Sequence, residues 1–213
     1  MAQLLPFEEF RECDIPRGDP LRWYYHGLLG RLYRHRLDVA VALAGSGRRI
    51  LEAGYGSGTT FLELGCRFGE VHGVDLHQYG PQIAQVFGRH GMNVRLTRGN
   101  ILELPYADRS FDTVLAVSIL EHLRPEDQGP AMQEIRRVLR PQGALVVGAP
   151  GVNLLMSAAF RLMGFSIGDY HLSSPHAIRS AAASLFVIDK VITRPFGAPA
   201  ALTTYQWFRG FKS

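Results

Sequence analysis

Between Arg48 and Gly58 the chain reads RRILEAGYGSG, and no other stretch restricts the fold as much. A short apolar run, Ile50-Leu51, meets an acid at Glu52. Glycines follow at Gly54, Gly56 and Gly58, ahead of the helix-forming GTTFLELGCRF. This is the pattern of a buried strand turning sharply into a helix. Glycine tolerates positive φ and has no Cβ, so alternating glycines let the main chain pass close against a bound molecule. The carboxylate two places before them points to a ligand carrying positive charge.

That acid separates two kinds of glycine-rich turn. A dinucleotide fold requires G-x-G-x-x-G with a pyrophosphate at the helix N-terminus. Counted from Gly54, the third glycine would fall at Thr59, and counted from Gly56 it would fall at Phe61. Neither register works, and Glu52 would repel a pyrophosphate while attracting an ammonium or sulfonium. A dehydrogenase is therefore the weaker reading.

The stretch resembles motif I of the class I S-adenosylmethionine-dependent methyltransferases, hydrophobic-hydrophobic-acid-x-G-x-G-x-G. Three further segments carry the resemblance in the same order. They are VHGVDL, a strand ending at Asp75; RLTRGNILELPYADRSFDTVLAVSILEHL; and EIRRVLRPQGALVVGAP. Within that class the chain resembles the small-molecule type, of the kind found in ubiquinone and menaquinone biosynthesis. The resemblance implies an α/β fold, a Rossmann-like seven-stranded and mostly parallel sheet with helices on both faces and the last strand antiparallel. It implies S-adenosyl-L-methionine as cofactor and methyl transfer to an O, N or C nucleophile of a small-molecule acceptor.

Taken in order, the chain supports that architecture. From Leu21 to Leu43 an amphipathic helix would place Tyr25, Leu28, Leu32, Val39 and Leu43 on one face, with Gly27 and Gly30 able to split it. Ile50–Ala53 reads as the first strand, Thr59–Phe68 as the first crossover helix and Val71–Leu76 as the second strand. Pro81 suits the first turn of the next helix, which ends at Gly91. Val94–Thr97 is the third strand. Phe111–Ser118 is nearly all apolar, as a strand buried on both faces must be. The helix after Pro130 carries Met132, Ile135, Val138 and Leu139 on one face, and Ala144–Ala149 is the fifth strand. Ser174 would cap a short helix with Pro175 in its first turn. LFVIDKVITRPF and ALTTYQWFRGFK supply the sixth and seventh strands, on either side of a turn at Gly197-Ala198-Pro199.

The resemblance also assigns residues. Glu52 would face the positive methionine end of the cofactor, while Gly54, Gly56 and Gly58 would allow close approach. Asp75 would accept both ribose hydroxyls and Leu76 would lie on the adenine face. Asn100, where the family usually has an acid, would accept from the adenine amine, with the Ile101 amide on a ring nitrogen; the alternative is an asparagine holding a turn. Ser118 would sit beneath the methionine part. Glu121 and His122 would point towards the transferring methyl, His122 as a general base or as an orienting and packing group. Tyr24, Tyr25 and His26 would face substrate or the methionine end, or else pack as ordinary aromatics with a surface histidine.

At 213 residues and 46% hydrophobic content one domain fits, 1–213, with a helical cap over 1–47 and an acceptor-site lid over 151–184. Tyr170, His171 and His176 are the polar groups available to that lid. Its apolar run from Leu154 to Phe165 suits a greasy acceptor, and reads equally as core or, with Arg161 in it, as a surface touching a membrane peripherally. A net charge of +4 from scattered arginines is no nucleic-acid footprint. The acidic start is no secretory signal, and no apolar run reaches the roughly 18–20 residues of a bilayer span. Two cysteines need no disulfide framework, which suits the cytoplasm. The histidines have no partners at metal-ligand spacing, so no metal is expected. The sequence leaves oligomeric state open. A methyltransferase-like module that binds cofactor or a partner without turnover is the rival reading.

Overall fold

A computed structural model describes residues 2–13, 15, 19–151, 172–195 and 203–213, without the side chains of Leu28 and Leu29. The elements follow as α1 Gly27–Ala44, β1 Gly47–Ala53, α2 Phe61–Gly65, β2 Phe68–Asp75, α3 Gly80–Arg89, β3 Val94–Arg98, β4 Phe111–Val117, α4 Gln128–Val138, β5 Leu139–Pro150, α5 Pro175–Ala183, β6 Phe186–Arg194 and β7 Tyr205–Lys212. The strands form one sheet in the order β3-β2-β1-β4-β5-β7-β6. β1 pairs in parallel with both β2 and β4, β2 with β3 and β4 with β5. β7 runs antiparallel between β5 and β6. The sheet is thus the expected mostly parallel one with its last strand reversed.

Alternation along each strand feeds two cores. Ile50, Leu115, Val146 and Trp207 face one side, and Leu51, Val114, Leu145 and Phe208 face the other. α1, α2 and α3 cover the first side through Ala40, Val41, Ala44, Phe61, Leu64, Ile83 and Phe87. α4 and α5 cover the second through Met132, Ile135, Val138, Ile178 and Ala182. Strands buried on both faces read as continuous apolar runs, which is why FDTVLAV and ALVVGA lack polar alternation.

Three local expectations are corrected. The first crossover helix is only Phe61–Gly65, because Phe68 is drawn into β2 opposite Gly47 and its ring is buried at 4% exposure. Leu139 is not on the face of α4 but is the first residue of β5, paired with Phe111. In α1 the expected Leu43 is buried and Val39 packs partly buried against the core, but the face also carries Leu37, Ala40, Val41 and Ala44, while Leu32 is 52% exposed. Only the second half of α1 lies on the sheet; its start packs against a 3-10 turn at Pro20–Tyr25. The break falls at His26, ahead of Gly27, and Gly30 stays helical. A Cβ on Gly30 would come within 2.6 Å of the Tyr24 carbonyl, so glycine is what allows the turn to fold back onto the helix.

The sixth and seventh strands and the Ser174 cap, whose hydroxyl accepts the Ala177 N–H at 3.2 Å, fall where the sequence indicates. The Gly197-Ala198-Pro199 turn and the stretch Leu154–Phe165 lie outside the described residues.

Candidate active site

The strand order reverses between β1 and β4, and at that point the carboxyl ends of β1, β2 and β4 open a crevice. The glycine loop forms its floor. Gly54, Gly56 and Gly58 have φ of 73°, 50° and 73°, a left-handed backbone closed to most side chains. A Cβ on Gly54 would lie 2.7 Å from Ile119, and one on Gly58 would lie 2.5 Å from the Phe61 ring. At these positions the space a Cβ would take is already filled by Ile119 and Phe61, so glycine is what lets the loop pack against the turn after β4 and against α2.

Two of the expected carboxylates meet at this loop from opposite sides. Asp75, at the end of β2, accepts the Gly56 N–H at 2.9 Å through one oxygen and the Leu76 N–H at 2.7 Å through the other. A carboxylate has about four acceptor positions, and the His77 N–H takes a third with a long bond of 3.5 Å, so some capacity for further donors remains. Glu52 lies beneath the loop, 4% exposed, and its side chain takes the Thr60 hydroxyl. Burial pushes the Glu52 carboxyl up to about 8, partly opposed by the Thr60 bond. A cation arriving above the loop would favour the ionised form. Leu76 stands beside Asp75, 65% exposed, an apolar surface without cover.

Asn100 is exposed and its Oδ1 accepts the Leu102 N–H at 3.0 Å, so this side chain does hold a turn, with Ile101 buried beside it. Ser118 has φ 55°, donates its N–H to Gly148 at 2.7 Å and shares a 2.8 Å hydroxyl contact with Tyr205. Glu121 and His122 lie on one 3-10 turn, Leu120–His122, and diverge: Glu121 is 1% exposed, whereas His122 is exposed. Burial raises the Glu121 carboxyl to about 8, against the pull of Arg36. The Glu121 carbonyl accepts the N–H groups of Leu172 and Ser173, tying this turn to the segment before α5.

The aromatic residues of the N-terminal segment divide. The Tyr25 hydroxyl donates to the Leu5 carbonyl, and burial pushes that phenol up to about 12. His26 is exposed and packs on Trp23, with ring centroids 5.5 Å apart. Tyr24 is the buried one. His176 is exposed in the first turn of α5; Tyr170 and His171 lie outside the described residues.

Three residues that sequence reasoning missed are at the same crevice. Asp19 accepts the Leu21 N–H at 2.7 Å and the Ser57 hydroxyl at 3.2 Å, docking the N-terminal segment on the glycine loop. Burial raises its carboxyl. The His77 Nε2 lies 3.0 Å from the Gly56 carbonyl and 3.6 Å from an Asp75 oxygen, and its ring stacks on Tyr79 at 3.5 Å. Arg36 lies over the faces of Tyr33, at 4.1 Å, and Tyr205, at 5.4 Å. His77 was within reach of sequence reasoning, as a polar side chain two places after the acid of the second strand. Asp19 and Arg36 carry no local signal. Among the described residues no three His, Cys, Asp or Glu side chains converge as a metal site, and no helix is long and apolar enough to cross a membrane.

Residues 51–147 match the family described as methyltransferase domain. The demethylmenaquinone methyltransferase of Deinococcus radiodurans is 36% identical over 133 residues, covering 60% of this chain and 54% of that one. The chain spans about half the length of the curated relatives it matches. Among solved structures, a geranyl diphosphate methyltransferase in complex with SAM superimposes with a TM-score of 0.73 at 17% identity, covering 93% of each chain. The N-methyltransferase NodS from Bradyrhizobium japonicum with S-adenosyl-l-homocysteine does so at 0.69 and 17%, covering 93% of this chain and 94% of that one. At that identity the likeness is one of fold.

Proposed function

We propose that residues 51–147, which match the methyltransferase domain family, form a class I S-adenosylmethionine-dependent domain, and that the chain moves the methyl group of S-adenosyl-L-methionine to an O, N or C nucleophile of a small-molecule acceptor. The observation that carries this reading is the Asp75 carboxylate, held by the Gly56 N–H against the glycine loop with acceptor capacity to spare. Within the proposal, Asp75 takes the ribose hydroxyls, Leu76 covers one adenine face, and the Asn100–Ile101 turn borders its edge. Gly54, Gly56 and Gly58 let the nucleoside approach main chain. Glu52 supplies negative charge beneath the methionine end, and Ser118 shapes the shelf at the end of β4. Tyr25 and His26, in a cap over 1–47, and Tyr170, His171 and His176, in a lid over 151–184, remain the acceptor-side candidates, with His122 on the turn after β4 as the candidate base or orienting group.

The sulfonium supplies an electrophilic methyl group when bound. The remaining work belongs to the chain: holding the acceptor in line, excluding water, and receiving a proton where the nucleophile carries one. Positioning of that kind accounts for large accelerations without a strong base. Glu121, like Glu52, is raised to about 8 by burial, so it holds its proton at neutral pH and would accept one only once ionised. Neither Cys13 nor Cys66 is in a disulfide, which supports a cytoplasmic setting.

Calorimetry with S-adenosylmethionine, S-adenosylhomocysteine and NAD, followed by labelled methyl transfer to an acceptor panel, tests the proposal. Binding of the first two and not of NAD is expected. Preference for NAD overturns the cofactor assignment, and cofactor binding without transfer to any acceptor favours a silent binding module.

A further inference from the structure

At the edge of the sheet away from the crevice, β4 and β5 begin and β7 ends. A cavity of about 480 Å³ opens there, bounded by the end of α4, the turn before β4 and the end of β7. Arg109, Arg136, Arg137 and Lys212 line it, with Asp108 as the acid among them. Asp108 is taken up by Arg137, whose Nη1 donates to it at 2.9 Å. Among the described residues no Asp or Glu side chain stands within ion-pair distance of Arg109, Arg136 or Lys212.

The bonds that hold these three residues in place run to main chain. Lys212 donates to the Leu139 carbonyl at 2.6 Å, Arg136 to the Ser213 main-chain oxygen at 3.1 Å, and the Arg109 N–H to the Arg137 carbonyl at 3.0 Å. Burial, and then the charges of Arg136 and Arg109, push the Lys212 amine below its usual range. The Arg136 Nε is buried with no hydrogen-bond partner. Arg109 has φ 54°, a left-handed backbone that a long side chain seldom adopts.

Like charges gathered in one concavity concentrate counter-ions there. A desolvated guanidinium donor without an acceptor is costly, and strained backbone at a charged residue is a feature of ligand clamps. The space is that of a small-molecule pocket, well beyond a single ion, and Leu185 and Pro141 give it an apolar wall. Two guanidinium forks and an ammonium suit a phosphate group, whose charge is close to −2 at neutral pH, better than a single carboxylate.

We propose that this cavity is a second ligand site, separate from the crevice, for a small soluble molecule bearing a phosphate group, held by Arg109, Arg136 and Lys212. It does not depend on the cofactor reading.

The test is calorimetry and thermal melting of the full chain with glycerol 3-phosphate, its neutral counterpart glycerol, and sodium chloride at matched ionic strength, for the wild type, Arg109→Gly and Lys212→Gln. The phosphate ester is expected to bind the wild type and raise its Tm, with neither control doing so. Arg109→Gly should weaken that binding by roughly ten-fold or more, the usual size of a charge-assisted hydrogen bond. Glycine takes left-handed backbone freely and the N–H bond to Arg137 is main chain, so this variant loses the cation and keeps the fold. Its melting without ligand should match or exceed that of the wild type. A wild type that responds to the ester no more than to chloride, or two variants that bind it like the wild type, overturns the site. Attachment to vesicles containing phosphatidic acid without any response to glycerol 3-phosphate overturns the soluble ligand.

Discussion

The carboxylate of Asp75 and the main-chain N–H of Gly56 are joined by a 2.9 Å hydrogen bond that crosses from the end of β2 to the turn after β1. The two strands are parallel neighbours, with Ala53 opposite Val74, so the bond closes the crevice floor at the point where both strands end. The same carboxylate shapes the loop and is the group that the proposed function assigns to ribose.

Asp75→Ala is therefore expected to weaken S-adenosylmethionine binding by ten-fold or more, since charge-assisted hydrogen bonds are worth about 1.5–3 kcal/mol each. Asp75→Asn, which keeps one acceptor, should lose less. Calorimetry checks both, and unchanged affinity in the alanine variant removes the ribose assignment.

Gly58→Ala is expected to destabilise the protein by about 1–3 kcal/mol, the usual cost of forcing a side chain into a left-handed backbone. Gly58 has φ 73°, and its added Cβ would meet the Phe61 ring at 2.5 Å. Gly88, an α3 glycine with nothing within 4 Å of its would-be Cβ, is the control: Gly88→Ala should be neutral or stabilising. Urea unfolding of the pair gives the comparison.

The ligand-free protein should lose stability as pH rises from about 5 to about 8. Glu52 and Glu121 are each pushed up from the ordinary 4.5 to about 8 by burial. Between those values the folded chain holds protons that the unfolded chain has released, so the slope of stability against pH is negative there. The carboxylates held low by arginines, Glu134 and Asp189 through their bonds to Arg137 and Arg209, act below that window, while His35 and His72, lowered by burial, oppose the fall in its lower part and Asp19, raised by burial, adds to it. Glu52→Gln removes one of the two groups and should flatten the fall. Thermal melting reads it, each kcal/mol shifting Tm by about 2–4 °C in a domain of this size. A Tm that climbs across the window would falsify the assignment of these two groups.

Arg137→Ala should cost about 1.5–3 kcal/mol, a range typical of hydrogen bonds to a charged group. The Arg137 guanidinium donates to the carbonyls of Leu104 and Tyr106 at 2.9 and 2.7 Å and to the carboxylates of Glu134 and Asp108. It pins the β3–β4 loop to α4. Arg137→Lys, a point charge without the fork, should recover only part of the loss in urea unfolding.

Much of the fold was legible because its signals are local. The apolar runs of β4 and β5, the Ser174-Pro175 start of α5 and the glycine turn each declare themselves within ten residues. The errors are local as well: Phe68 and Leu139 sit where a helix pattern and a strand pattern overlap, and pairing with Gly47 and Phe111 decided both for the sheet. The site was legible where a motif carried it. Glu52, Asp75 and the three glycines converge on one loop as the sequence indicates, while Tyr25 turns to the Leu5 carbonyl and Asn100 to its own turn.

By itself the sequence determined the parallel sheet and its crossover at the glycine loop, because periodicity and turn geometry are written over a few consecutive residues, and its ordered motifs carried the resemblance on which the proposed chemistry rests. Only the tertiary structure decided that Asp19 would reach Ser57, that the Trp207 indole would fasten to the Arg36 carbonyl from 171 positions away, and that the Arg36 guanidinium would lie over the rings of Tyr33 and Tyr205. Those meetings depend on how helix and strand pack across the sheet. An arginine that enters a desolvated pocket has the same neighbours in the chain as one that stays in water.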